Sequence, residues 1–340
     1  MAIGQRIKQA RRSSQFSLRD LAERARISPM AISKYERDQD IPSSGVLLRL
    51  AQALNVSIDF FFRPAAPQAQ LQAYRKRASL GVKEQEAVQA SIQEWLECYL
   101  EVESFFDDAP NVNLPHYKVA STGDVETAAE QLRLIWRLGL DPIGNLTQTF
   151  EDQGIKVGLV DGFEHFDACT FMAGQSPVIV TKANIPGDSQ RFSLGYELGC
   201  LVLDVAEVLD AEKFYLRFAS AFLAPAPVVR FELGQRRTML DINELYLVKE
   251  KYGLSMQNWI ARARDLEIIS SPAAERLTQQ FRANERYRLE PGIEYPAEKS
   301  TRMERLIYRA LAEDVISRSK AQELLQRALQ NYSSDPYGSG

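Results

Sequence analysis

Ser17-Leu18-Arg19-Asp20-Leu21-Ala22-Glu23-Arg24-Ala25-Arg26-Ile27-Ser28-Pro29-Met30-Ala31-Ile32-Ser33-Lys34-Tyr35-Glu36-Arg37 decides how the first part of this chain folds. Ser17 is a good N-cap with an acid three residues on, and Leu18, Leu21, Ala22 and Ala25 give the apolar stripe of a short helix. Ser28-Pro29 repeats the signal with a cap residue followed by proline, whose missing N–H would have had no helical partner at that position. A second helix runs from about Met30 to Arg37, with Ile32 and Tyr35 inward.

Outward from that pair, Ile3, Ile7 and Ala10 recur at helical spacing over residues 2–12, with Arg6, Lys8, Arg11 and Arg12 on the other faces. Ser44 to Leu54 is a further helix after Ile41-Pro42, and Val56 to Phe62 closes the unit. Two short helices joined by a tight turn, the second starting with polar residues, make a helix-turn-helix pattern. Its wording over residues 3–62 resembles the Xre or lambda-repressor-like family. The resemblance implies that the helix from Ser28 to Arg37 lies in the major groove of a double-stranded DNA operator. Pro29, Met30, Ser33 and Lys34 would face base edges, the first two against thymine methyls, while Ser17 and Arg37 would meet phosphate. Arg19 and Ser28 belong to the same expected DNA-binding set.

Charge supports a division of labour. The chain has 340 residues and a formal net charge of −4, but residues 1–64 hold 11 Lys and Arg against 6 Asp and Glu, leaving 30 against 39 for the rest. A basic end that meets polyanions and an acidic body that does not is the expectation. At this length two or three compact units are expected, and 45% hydrophobic residues suffice for a sizeable core. Cys98, Cys169 and Cys200 are too few and too scattered for a disulfide framework, which suits a reducing cytoplasm. No apolar run approaches the about 18 residues of a membrane span, and the N-terminus reads as a basic amphipathic helix rather than a signal peptide.

Pro64 to Gln70 reads as a short stiff linker, and Tyr74-Arg75-Lys76-Arg77 as a basic knot. From Lys83 to Phe106 one long helix carries Val88, Ile92, Trp95, Leu96, Tyr99, Val102 and Phe106 on one stripe, which either meets a second copy or packs within the chain. After a loop over 111–119 come a helix from Thr122 or Val125 to Leu138, another from Ile143 to Asp152, and strands at Gly154 to Val160, Ala168 to Ala173 and Pro177 to Thr181.

Gln190-Arg191-Phe192-Ser193-Leu194-Gly195-Tyr196-Glu197-Leu198-Gly199-Cys200-Leu201-Val202-Leu203 follows, a helix with no solvated side and one carboxylate, Glu197. A buried carboxylate needs a partner, a cleft or a proton. Tyr196 and Cys200 flank it at i−1 and i+3, where an H-E-x-x-H zinc helix has its histidines. With Glu212 to Pro225 downstream, the stretch resembles the ImmA/IrrE-type metallopeptidase-like family over about residues 120–285. The resemblance implies a zincin-like domain in which Glu197 stands at the general-base position, Glu212 at the third ligand, and Tyr196 and Cys200 at the two histidines. A neutral phenol is a poor zinc ligand, so no zinc or other cofactor, no metal-ligating set and no catalytic residue is expected. The only histidines, His116 and His165, lie in a loop and a strand-turn region. Glu197 could equally bond a backbone donor, Tyr196 or Arg217, and Glu212 could be an ordinary acid in a first helical turn.

Leu240 to Tyr252, Ser255 to Leu266, Pro272 to Asn284, Arg302 to Glu313 and Ser317 to Gln330 read as helices, with Tyr332 to Gly340 disordered. The fold class expected is α+β and mostly helical: an all-α helix-turn-helix domain at 1–64, a linker and long helix at 65–110, a degenerate peptidase-like domain with a small sheet at 111–285, and a helical C-terminal extension at 286–332. The function expected is a cytoplasmic, non-enzymatic DNA-binding regulator acting as repressor. A homodimer on a palindromic operator, a small-molecule or protein effector in the old cleft of Tyr196, Glu197, Cys200 and Glu212, and no membrane partner complete it. The alternatives are a zinc peptidase with an altered Cys/Glu site and an antitoxin-type repressor.

Overall fold

The computed structural model describes residues 3–62, 70–76, 81–163, 165–206, 209–283, 290 and 292–330. The tail expected to be disordered and most of the expected linker fall outside them. The protein is α+β and mostly helical, as its sequence implies.

Helices α1 (Ile3–Ser13), α2 (Leu18–Ala25), α3 (Pro29–Glu36) and α4 (Ser44–Leu54), with a 3-10 turn at Ile58–Phe62, enclose Ile7, Leu21, Ile32, Leu50, Phe60 and Phe61. Capping follows the sequence signals. The Ser17 hydroxyl accepts from the Asp20 amide at 3.1 Å while the Asp20 carboxylate accepts from the Ser17 amide at 2.7 Å, and Ser28 accepts from the Ala31 amide at 3.1 Å. α1 crosses α3 at backbone distance, since a Cβ on Gly4 would lie 2.0 Å from the Tyr35 carbonyl oxygen.

The body begins with β1 (Gln70–Lys76), α5 (Val82–Glu103), β2 (Tyr117–Val119), α6 (Thr122–Ile135) and α7 (Leu146–Asp152). Strands β3 (Lys156–Val160), β4 (Phe166–Ala173) and β5 (Ser176–Lys182) lead into α8 (Gly187–Val202), β6 (Leu203–Val205) and α9 (Ala211–Leu223). There follow α10 (Ala226–Leu233), α11 (Ile242–Tyr252), α12 (Met256–Asp265), α13 (Ser271–Ala283), α14 (Arg302–Ala312) and α15 (Arg318–Gln330). One sheet has the order β1-β4-β5-β3, antiparallel except where β3 runs beside β5; β2 and β6 form a separate parallel pair. Expected as a basic knot, Tyr74 to Lys76 belong to β1 and pair with β4. Expected as part of the buried helix, Leu203 starts β6.

The sheet is covered on both faces. Val157 and Ile179 face α6 to α9, whereas Val160, Phe171, Val178 and Val180 face α5, α14 and α15. Val88, Ile92, Trp95, Leu96, Tyr99 and Val102 of α5 are all buried in that second core with Met303, Ile307 and Leu324. Of the two readings of the α5 stripe, packing within the chain is the one realised, so this stripe is not the surface for a second copy.

The helix-turn-helix unit rests on the body through α1 and α5. Arg6 donates to Glu97 across this joint, both side chains nearly excluded from solvent, and Arg12 pairs with Glu86 at 2.7 Å. Removing one partner of a buried pair leaves an uncompensated charge, so Glu97→Ala is expected to cost about 3 kcal/mol, read as a lower urea midpoint. A midpoint equal to that of the wild type would show that the pair is solvated.

Candidate functional site

α3 presents the surface expected to read DNA. Met30 is 69% exposed, Pro29, Lys34 and Arg37 are exposed, and Ser33 is half-buried. The Arg37 guanidinium donates to the Ser33 carbonyl and hydroxyl, both at 3.0 Å, which folds it back along the helix. Ser17, Arg19 and Ser28 are exposed at the adjoining helix starts. The Ser17 and Ser28 hydroxyls accept capping bonds, leaving their protons to donate outward. Arg11, by contrast, is consumed inside the unit, bonding both Glu36 oxygens at 2.6 and 3.0 Å.

α8 lies between the sheet and α9, close enough to α9 that a Cβ on Gly195 would meet the Ala219 Cα at 3.2 Å. Its first turns are held by charge. Lys249 bridges Asp188 at 3.2 Å and Glu290 at 3.0 Å, and Arg191 donates to Glu298 and to the Ile143 carbonyl at 2.8 Å. Tyr196 packs edge-on against Tyr215 with ring centroids 5.6 Å apart. Burial, and then the charges of Cys200 and Asp204, raise the Tyr215 phenol above its ordinary range. Glu197 is 2% exposed and faces the sheet closely enough that its charge, after burial, lifts the Cys169 thiol well above the usual range. Cys200 is half-buried. The arginine considered as a partner for Glu197, Arg217, is engaged elsewhere: it pairs with Glu126 and, at 2.8 Å, with Asp265.

Glu212 is exposed at the start of α9 and lines a different space from Tyr196, Glu197 and Cys200. That space is a cup of about 400 Å³ between the N-terminal turn of α6, α9 as far as Ser220, and α12. Phe192 and Leu216 contribute apolar walls, and Lys213, Asn258 and Arg264 polar ones. Of the four residues expected to share one cleft, only Glu212 reaches this cup. Among the described residues, no three His, Cys, Asp or Glu side chains come together as a metal-binding group. Nothing in the local sequence singles out Asn258 or Lys213. On α12, Arg262 is an internal residue that holds both Glu126 oxygens and the Ala224 carbonyl.

With this geometry in hand, the class of the first unit is clear: residues 7–61 match the helix-turn-helix family model. A curated relative is the HTH-type transcriptional regulator ImmR of Bacillus subtilis (strain 168), 37% identical over 60 residues, which make up 18% of this chain and 47% of that protein. The chain thus spans about half the length of that relative. Among solved structures, ComR from Streptococcus suis aligns over 97% of this chain and 94% of its own at 10% identity, with a TM-score of 0.17. Among the described residues no helix is long and apolar enough to cross a membrane.

Proposed function

We propose that this chain is a sequence-specific DNA-binding transcriptional regulator that represses by occupying its operator, with the remainder of the chain acting as a sensor or interaction module. The observation that carries this reading is the exposed face of α3 within a unit that matches the helix-turn-helix model over residues 7–61. In this mechanism the basic unit is drawn to DNA by phosphate charge, and α3 enters the major groove. Lys34 and Ser33 then offer donors to base edges, Met30 and Pro29 lie against thymine methyls, and Arg37 leaves Ser33 for a phosphate. A homodimer remains part of the proposal, its contact lying away from the α5 stripe, and it implies half-sites about 34 Å apart.

Residues 111–285 are read as a metallopeptidase-like framework that no longer cuts peptides. Tyr196 and Cys200 stand where imidazoles would be needed, and Tyr196 is committed to a ring contact with Tyr215. The cytoplasm is the compartment proposed. Genome-wide mapping of bound sites in the source cell, followed by binding to the strongest site in vitro, tests the reading. Lys34→Ala and Met30→Ala are expected to weaken that site by about 1–3 kcal/mol with little change on random DNA. Arg37→Ala should weaken both and lower the salt slope by about 1. Absence of enriched sites, or variants that all bind like the wild type, would overturn it.

A further inference from the structure

We propose that the cup between α6, α9 and α12 binds a small zwitterion with an apolar body, of the size of a hydrophobic amino acid or a di- or tripeptide with free ends. The proposal deepens the sensor reading above and rests on it for the regulatory step alone.

Part of the cup's lining is already neutralised. Arg217 and Asp265, both of the lining, pair at 2.8 Å, and Arg217 also pairs with Glu126, which lies outside the lining and whose two oxygens Arg262 holds. These charges need no ligand, and the volume of about 400 Å³ falls within the range of small-molecule sites. Elsewhere in the lining the chemistry is unfinished. Among the described residues the Lys213 ammonium, the Glu212 carboxylate and the side-chain amide of Asn258 make no hydrogen bond or ion pair, although all three line the same space beside Phe192, Leu216 and Ala261.

Charge selects the ligand class. The lining carries three carboxylates (Asp210, Glu212, Asp265) and three cations (Lys213, Arg217, Arg264), so neither sign dominates. A nucleotide or other polyanion would meet Glu212 and Asp210, and a simple cation would meet Lys213 and Arg264. A molecule with one charge of each sign satisfies Glu212 and Lys213 together, with Asn258 free to donate to or accept from a peptide group. Phe192, Leu216 and Ala261 give its body an apolar wall. The contacts run on from there: α9 packs on α8, α8 on the sheet, the sheet on α5, and α5 carries α1 of the helix-turn-helix unit.

Calorimetry on the full chain with leucine, dileucine and trileucine, each with free ends, tests the site, with N-acetyl-trileucine amide as the uncharged control. At least one zwitterion should bind saturably. Blocking both ends, Lys213→Ala or Glu212→Gln should each weaken that binding by about tenfold, the scale of one charge-assisted hydrogen bond. Ala261→Phe, which fills the cup, should abolish it. Both charge substitutions are at exposed positions, and an unchanged thermal midpoint confirms that each variant is folded. Binding by none of the three probes, or equal binding of the blocked peptide, overturns the site, and operator binding measured in the same preparation shows separately whether the DNA-binding reading stands. Saturable binding that leaves operator affinity unchanged keeps the site and overturns the sensor reading.

Discussion

Glu298→Ala is expected to lower the free energy of unfolding by about 3–5 kcal/mol. Glu298 sits in the irregular segment before α14 and ties three elements together. One carboxylate oxygen accepts from the Leu146 amide at 3.0 Å and the other from the Thr147 amide at 2.7 Å, at the start of α7. The same carboxylate receives Arg191 of α8, and the Glu298 backbone exchanges two hydrogen bonds with Gln190 at 2.7 and 2.9 Å. Arg191 is fully excluded from solvent. Truncation therefore leaves a buried guanidinium without its counter-charge and two amides at a helix N-terminus without their acceptor. Glu298→Gln keeps an acceptor and should lose less, while Arg191→Met with Glu298→Ala should recover part of the loss by removing the stranded charge. Chemical denaturation reads all three. A loss from Glu298→Ala under about 1 kcal/mol, the value of an exposed ion pair, would sink the assignment.

A second large effect is expected from pH. Glu151, on α7, is 1% exposed, and burial pushes its carboxyl from the ordinary range up to about 7, against the opposing pull of the Ser300 hydrogen bond and of Arg302 and Arg305. It borders a small polar cavity with Tyr99 and Glu103 of α5, Lys156 of β3 and Arg302 of α14. Lys156 is committed to Glu103, and Ser300 donates to one Glu151 oxygen at 2.5 Å, while the other oxygen is buried and makes no hydrogen bond among the described residues. The neutral acid is thus the form the fold accepts. Between about 4.5 and about 7 the folded chain holds a proton at this site that the unfolded chain has released, so the stabilisation is complete below 4.5 and is lost as pH rises through 7. The shift corresponds to about 3 kcal/mol. Glu151→Gln should therefore gain on the wild type by about that amount from pH 4.5 to pH 8, measured as the difference between their denaturation free energies at each pH. A difference that does not vary with pH would mean that Glu151 is charged in the fold.

Much of the architecture is legible along the chain because the forces concerned are local. Ser17 with Asp20 and Ser28 with Pro29 announce α2 and α3 through caps that need only the next few residues, and both form as the sequence implies. α8 is legible as a buried helix because its apolar and small residues leave no wet side. The other strands carry no such signals: β1 has no clean alternation, and β2 and β6 are three residues each, shaped by each other across the chain. The candidate cup was hidden for the same reason, since Lys213, Asn258 and Phe192 are ordinary residues until α9, α12 and α8 bring them together.

By itself the sequence determined the helix-turn-helix unit, the exposed face of α3 and the buried character of the helix around Glu197, all consequences of capping, periodicity and the cost of burying charge. Only the tertiary structure decided which partners those charges meet. It sent the α5 stripe into the sheet, joined Arg6 to Glu97 and Arg191 to Glu298, and placed Glu212 in a cup away from Tyr196, Glu197 and Cys200. Pairings between residues about a hundred positions apart depend on how layers close over a common core, and no short stretch of chain encodes that.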